Sequence, residues 1–193
     1  MKIHTILSSK HLVNQYLIEE ENEKLGILVD CSSVDNQLIS RIEGKMNLVG
    51  VLITHSHLAH VDGLGTLFKI YSPTVYAYRD KIEGIECKAL RDEDEISIGS
   101  IKIKALHIPG HSIDCISYLV DNIVFTGDTL ESGSIGMTES LISKELMIDG
   151  IRKKLFVLDD NTLIFPGHGS PSKIRIEKMF NQDMLEAEAT SFS

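Results

Sequence analysis

The apolar run Leu48-Val49-Gly50-Val51-Leu52-Ile53 passes directly into Thr54-His55-Ser56-His57-Leu58-Ala59-His60. A short continuous apolar run bounded by polar sequence predicts a buried strand. Closely spaced imidazoles delivered to the end of such a strand predict the start of a metal site, since neutral imidazole suits zinc and also iron or manganese. The strand end must then stay accessible, and other ligand-bearing loops must reach it.

Four further junctions repeat the pattern of strand, small-residue turn and candidate ligand. His111 follows His107-Ile108-Pro109-Gly110, Asp128 follows Phe125-Thr126-Gly127, His168 follows Phe165-Pro166-Gly167, and Asp30 ends the run Leu25–Val29. Glycine and proline let the backbone turn sharply, so that one side chain points back over the strand ends. Five of the 8 histidines fall in three strand-to-loop junctions, which no isolated His-x-His pair would explain. His107 precedes the Pro-Gly turn and is assigned to packing or to bonding a ligand from behind. His4 and His11 are read as surface or structural residues.

The surrounding sequence alternates strands with helices. Ile3–Leu7, Gln15–Glu19, Leu25–Val29, Leu48–Ile53, Val75–Tyr78, Cys115–Val120, Ile123–Phe125 and Thr162–Phe165 read as strands, and Asn36–Ile42, Val61–Tyr71, Ser140–Leu158 (broken near Asp149-Gly150) and Lys173–Phe180 as helices. Ile96, Ile98, Ile101 and Ile103 alternate with polar residues around Gly99-Ser100, as in two half-buried strands joined by a tight turn. The charge run Arg91–Glu95 reads as a solvated turn, and the tail from about residue 182 as frayed. Strands interleaved with helices predict an α/β class with two sheets packed in the middle and helices outside. At 193 residues, the expectation is one domain spanning 1–193.

Composition narrows the partners. Asp and Glu number 28 against 19 Lys and Arg, a formal charge of −9; nucleic acid or an anionic membrane would call for a basic footprint. No apolar run approaches the ~20 residues of a membrane span, and the N-terminus lacks the features of a secretory signal. A cytoplasmic protein acting on a small-molecule substrate, with no nucleic-acid or membrane partner, is expected. Cys31, Cys87 and Cys115 form no CxxC pair and are read as buried small hydrophobes.

The set Asp30, His55-Ser56-His57-Leu58-Ala59-His60, Pro109-Gly110-His111, Thr126-Gly127-Asp128-Thr129 and Pro166-Gly167-His168-Gly169 resembles the metallo-β-lactamase superfamily, in family order and over the chain to about residue 180. The stretches around Asp128 and His168 are most similar to its short glyoxalase II-like (hydroxyacylglutathione hydrolase-like) branch. The resemblance implies a four-layer αββα sandwich with one or two zinc ions, or iron or manganese, between the sheet edges. It implies that His55, His57 and His111 hold the first metal, that His60 and His168 hold the second, and that Asp128 bridges both and orients a metal-bound water. Asp30 resembles the family's buried aspartate that braces the histidine loop without binding metal.

One departure matters. The family motif is HxHxDH, and position 59 is Ala. Without that carboxylate a two-metal cluster keeps one more net positive charge at short range in a low-dielectric cleft, so the second site is expected to be weak and one bound metal favoured. Ala59 is either natural divergence or an introduced inactivating change. The leading expectation is a metallo-hydrolase of thioester or related acyl substrates working through metal-bound hydroxide. Alternatives are a mononuclear-iron sulfur dioxygenase-like oxidoreductase, whose trio His55, His111 and Asp128 is intact, and a weakly active or non-catalytic metal-binding domain. Met137 and Glu131 stand where short relatives often carry Arg and an apolar residue, which leaves glutathione specificity open. Loops after Leu130 and around Lys173 are the expected substrate walls.

Overall fold

A computed structural model describes residues 1–190. The chain runs β1 (Lys2–Leu7), β2 (Asn14–Glu20), β3 (Leu25–Val29), α1 (Asn36–Ile42), β4 (Asn47–Leu52), α2 (Leu58–Val61), α3 (Leu64–Leu67), β5 (Thr74–Ala77), β6 (Lys81–Ile82), β7 (Ile85–Ala89), β8 (Glu95–Ile98), β9 (Ile101–His107), β10 (Ile116–Val120), β11 (Ile123–Gly127), α4 (Leu141–Gly150), β12 (Leu163–Pro166), β13 (Ser172–Lys173), α5 (Ile174–Phe180) and α6 (Gln182–Thr190). The strands form two sheets, ordered β1-β2-β3-β4-β5-β7-β6 and β13-β12-β11-β10-β9-β8.

The period-two pleat of each strand divides its side chains between two cores. On β2, Leu17 faces α1 to α3 together with Leu28, Leu38, Val61 and Leu64, whereas Tyr16 and Ile18 face the other sheet. On β11, Phe125 joins Tyr16 between the sheets while Val124 packs with Met147, Ile151 and Ile174 under α4 and α5. Three successive apolar layers therefore separate four layers of structure, the αββα sandwich expected from the motifs.

This topology sets the site. β3 pairs parallel with β4, and β11 parallel with β12, so each pair ends on one edge. β9 is antiparallel to β10, which is antiparallel to β11; β9 therefore ends on the same edge as β11. The residues following β3, β4, β9, β11 and β12 are those carrying Asp30, the histidine loop, His111, Asp128 and His168. Tyr16 ties the two sheets together there, donating its hydroxyl to Pro166 O at 2.7 Å and meeting the Phe125 and Phe165 rings at 5.3 and 5.2 Å between centroids.

Some sequence expectations change. The helix expected over Val61–Tyr71 is two single turns, α2 and α3, meeting at Gly63, where an added Cβ would come within 2.8 Å of Cys31 O. The helix expected over Ser140–Leu158 is not broken at Asp149-Gly150 but continues as a wider π-helical turn over Ile151–Leu155. Strands β6, β7 and β13 were not expected. The tail is not frayed over the described residues: α6 buries Met184, and its Asp183 pairs with Lys144 of α4 at 2.6 Å. Residues 191–193 lie outside the described residues. Cys31 and Cys115 are buried, but Cys87, on β7 near the sheet edge, is only half-buried.

Candidate metal centre

Each expected ligand arrives on a turn that the local sequence makes tight. At Gly167 a Cβ would stand 2.5 Å from Asp128 Oδ1 and 2.7 Å from His60 Cε1, so only glycine lets the His168 loop close over these groups. Gly110 has φ of +150°, and a Cβ there would meet Met147 Cβ at 2.4 Å; α4 thereby presses directly on the His111 turn.

The structure brings all six expected side chains together. His57 Nδ1 lies 3.1 Å from His55 Nε2 and 2.8 Å from His111 Nε2. Asp128 Oδ2 lies 3.5 Å from His111 Nε2, 3.7 Å from His168 Nε2 and 3.9 Å from His55 Nε2, and Asp128 Oδ1 lies 3.2 Å from His60 Nε2. His55 and His60 are buried, and His57 is exposed. Ligand atoms of His55, His57 and His111, and separately of His55, His60 and Asp128, all fall within 4.8 Å of one another.

Hydrogen bonds behind the rings decide which nitrogens carry lone pairs. His111 Nδ1 donates to Met137 O at 2.8 Å, His168 Nδ1 to Leu12 O at 3.0 Å, and His60 Nδ1 to Asp30 Oδ2 at 2.7 Å. An oxygen acceptor fixes the proton on Nδ1 and, in the neutral ring, leaves Nε2 as an acceptor. Those three Nε2 atoms face one another across the Asp128 carboxylate. Acceptor facing acceptor is repulsive unless a cation lies between them. Consistently, His60 Nε2 and Asp128 Oδ1 are buried with no hydrogen-bond partner among the described residues, and buried polar atoms do not stay unpaired without a reason. The donor set of imidazoles and one carboxylate fits a divalent metal.

Electrostatics agree with this geometry. Burial pushes the His55 ring down to about 2, helped by neighbouring His60, so His55 is neutral. For His60 burial also acts downward, but the carboxylates of Asp30 and Asp128 on its two sides outweigh it and raise the metal-free ring to about 10. Burial would raise the Asp128 carboxyl; the charged His60 ring 3.2 Å away outweighs it and holds the carboxyl well below the usual carboxylate range. Without metal, His60 acts as the cation of the site.

Asp30 stands behind the histidine loop. Its carboxylate accepts from Thr54 N at 2.8 Å and from the Thr54 hydroxyl at 2.8 Å as well as from His60, and the same hydroxyl faces His55 Nδ1 at 3.2 Å. His107 stays outside the cluster, stacked on Tyr78 and bonded to Ile113 O. His4 and His11 pair with Glu19 and Asp62.

Two supports were invisible in the sequence. Buried Asp114 accepts from Ser56 N at 3.2 Å, Arg79 Nε at 2.7 Å and Ser112 Oγ at 2.6 Å, joining the His55–His57 loop to the His111 loop. Burial would raise its carboxyl; the bonds from Ser112, Ser56 and Arg79 and the Arg79 charge bring it down to about 2. Asn14 donates to Pro166 O at 3.1 Å and Gly169 O at 2.8 Å, bracketing His168. No ligand-like spacing marks either residue.

A cavity of about 340 Å³ opens beside the cluster, lined by His57, the turn Pro109–Ile113, Glu139, Ser143 and Leu146. The segment after Leu130 thus supplies a wall as expected, whereas Lys173 does not line it.

A sequence model described as "Metallo-beta-lactamase superfamily" matches residues 10–168. The chain is 31% identical to the hydroxyacylglutathione hydrolase GloC of Haemophilus influenzae, over 83% of this chain and 88% of that protein. It is also 31% identical to the probable polyketide biosynthesis zinc-dependent hydrolase PksB of Bacillus subtilis, over 79% of this chain and 71% of that one. Among solved structures, ETHE1 from Myxococcus xanthus superposes with a TM-score of 0.83 at 27% identity, covering 98% of this chain and 90% of that one. The BLEG-1 B3 metallo-beta-lactamase gives the same score at 22% identity, 95% and 99% covered, a likeness of fold.

Proposed function

The chain belongs to the metallo-beta-lactamase superfamily, and from that premise we propose that it is a metal-dependent hydrolase of thioesters or related acyl compounds. The observation that carries the reading is the set of inward ring nitrogens gathered around Asp128, each fixed from behind by an oxygen. In this reading His55, His57 and His111 would hold one ion, His60 and His168 a second, and Asp128 would reach both. Zinc is the proposed metal. A bound divalent ion lowers the pKa of a water ligand toward ~7 and polarises a carbonyl oxygen.

The residues themselves do the positioning. Met137 O, Leu12 O and Asp30 hold His111, His168 and His60 with their lone pairs inward, and Asp114 keeps the two loops of the three-histidine half in register. His111, His168 and His60 are committed in this way, His55 faces the Thr54 hydroxyl, and His57 would be taken up by the ion, so the cluster offers no ready proton for a departing group. A thiolate, whose conjugate acid has a pKa of ~8.5, departs at neutral pH without that help, and an amine does not. Thioesters therefore suit this site better than amides. Hydrolysis of a panel of acyl thioesters by the zinc-loaded protein and its Ala59→Asp variant tests the reading. Turnover is expected for this chain and faster for the variant; no turnover by either would overturn it.

A second reading is a mononuclear-iron, sulfur dioxygenase-like enzyme. It is favoured by the grouping of His55 and His111 about Asp128 at 3.9 and 3.5 Å, with no carboxylate at position 59. Iron in protein purified without added metal, together with oxygen consumption on a persulfide, would select it over the hydrolase.

A further inference from the structure

The cavity beside the cluster has a composition that bears on substrate. Two of its wall residues, His57 and His111, belong to the candidate metal centre, so whatever fills the cavity lies next to the reacting group. Its wall is mixed, with Ser112, Ser143 and Glu139 beside two exposed apolar side chains, Ile113 at 65% and Leu146 at 47% exposure. Ile142, one turn before Leu146 on α4, and Met137, whose carbonyl receives the His111 proton, extend the exposed apolar surface outward. Contiguous apolar surface at the mouth of a site marks a binding surface.

Charge points the same way. The charged side chain lining the cavity is the carboxylate of Glu139, and no Lys or Arg lines it. Arg79, on the Asp114 side, gives its Nε to that buried carboxylate, which answers its charge. Apart from the metal centre itself, no cationic side chain lines the cavity to attract an anionic acyl chain, and the protein as a whole carries −9.

We propose that the cavity between the His111 turn and α4 receives an uncharged, apolar acyl chain, and that the enzyme selects such thioesters over those with anionic groups at this position. The proposal rests on the thioester reading for the chemical identity of the substrate; binding of an apolar chain can be measured without it. The occupant is a substrate chain rather than a second copy of the protein because the exposed Ile113 and Leu146 line the same cavity as His57 and His111.

Thioethers cannot be hydrolysed as acyl compounds, so their binding separates this proposal from the hydrolase reading. Titration calorimetry on the zinc-loaded protein would compare S-ethyl and S-octyl N-acetylcysteamine with S-(7-carboxyheptyl) N-acetylcysteamine, which carries an anion on the chain itself. A fully buried methylene contributes ~fourfold to affinity, so even a half-open groove should favour octyl over ethyl by more than about tenfold. Leu146→Ser, which changes an exposed residue, should reduce that ratio severalfold. The neutral octyl thioether should bind more tightly than its carboxylated counterpart, with the gap narrowed in Glu139→Gln. Equal binding of ethyl and octyl, tighter binding of the carboxylated thioether, or indifference to Leu146→Ser would overturn the proposal. So would a concentration-dependent dimer in gel filtration that Leu146→Ser abolishes, because it would assign the patch to a second copy. Failure to hydrolyse any thioester, with the chain-length preference intact, would instead remove the hydrolase reading alone.

Discussion

The two halves of the centre are held by different physics. The three-histidine half, His55, His57 and His111, is fixed by neutral hydrogen bonds to Thr54 and Met137 and by Asp114 behind its loops. The two-histidine half, His60 and His168, depends on an ion pair: His60 is buried between Asp30 at 2.7 Å and Asp128 at 3.2 Å. The first half presents ready lone pairs. The second presents a ring that is a cation until it surrenders its proton, and it has alanine where a further carboxylate would offset a second ion. The lesson is that the burial and ion pairing which stabilise the metal-free fold around His60 are expected to oppose metal binding by that half.

The largest expected effect breaks both halves together. Asp128→Ala should weaken metal binding at each by more than about 100-fold, since groups that merely support a ligand already contribute 10–100-fold; a competitive chelator titration reads both equilibria. Asp30→Asn comes next and separates them. In metal-free protein, urea unfolding should show a loss of about 3 kcal/mol, since the change removes the nearer of the two carboxylates paired with buried His60 and disturbs the bonds from Thr54. An unchanged midpoint would mean that His60 is not charged in the apo state.

Asp114→Asn is the matching change in the other half. It keeps the shape but removes the charge answering Arg79, and should lower affinity of the tighter ion about tenfold while leaving the weaker ion alone. Loss of both ions equally would contradict the division drawn here. The smallest effect is the pH dependence of the same residue. Asp114 is held at about 2 in the folded state, below the 3.8 of a free aspartate, so its contribution is complete above pH ~4 and fades as pH falls toward ~2. Arg79 is half-exposed, and solvent screening limits that contribution to about 1 kcal/mol. Acid titration of apo protein stability should show this fall in the native chain and not in Asp114→Asn.

Much of this division was legible in the sequence because ligands at strand-to-loop junctions carry a local signature: an apolar run, a Gly or Pro turn, then His or Asp. The strand β3 and the helix α1 fall where their patterning puts them. What escaped has physical reasons. β6 and β7 are short edge strands around Gly84, half-exposed and without clean alternation. The tail looked polar, but a single buried Met184 and the Asp183–Lys144 pair are enough to dock it as a helix. Asp114 was hidden because its partners, Ser56, Arg79 and Ser112, come from three separate loops, and such convergence exists only in the folded chain.

The central claim is that the centre is unequal, with one ion held by the three-histidine half and a second held weakly for want of a carboxylate at position 59. Elemental analysis after mild chelation of zinc-loaded protein measures this directly. The account predicts about one equivalent retained by this chain and about two by Ala59→Asp; two full equivalents in both proteins would contradict it.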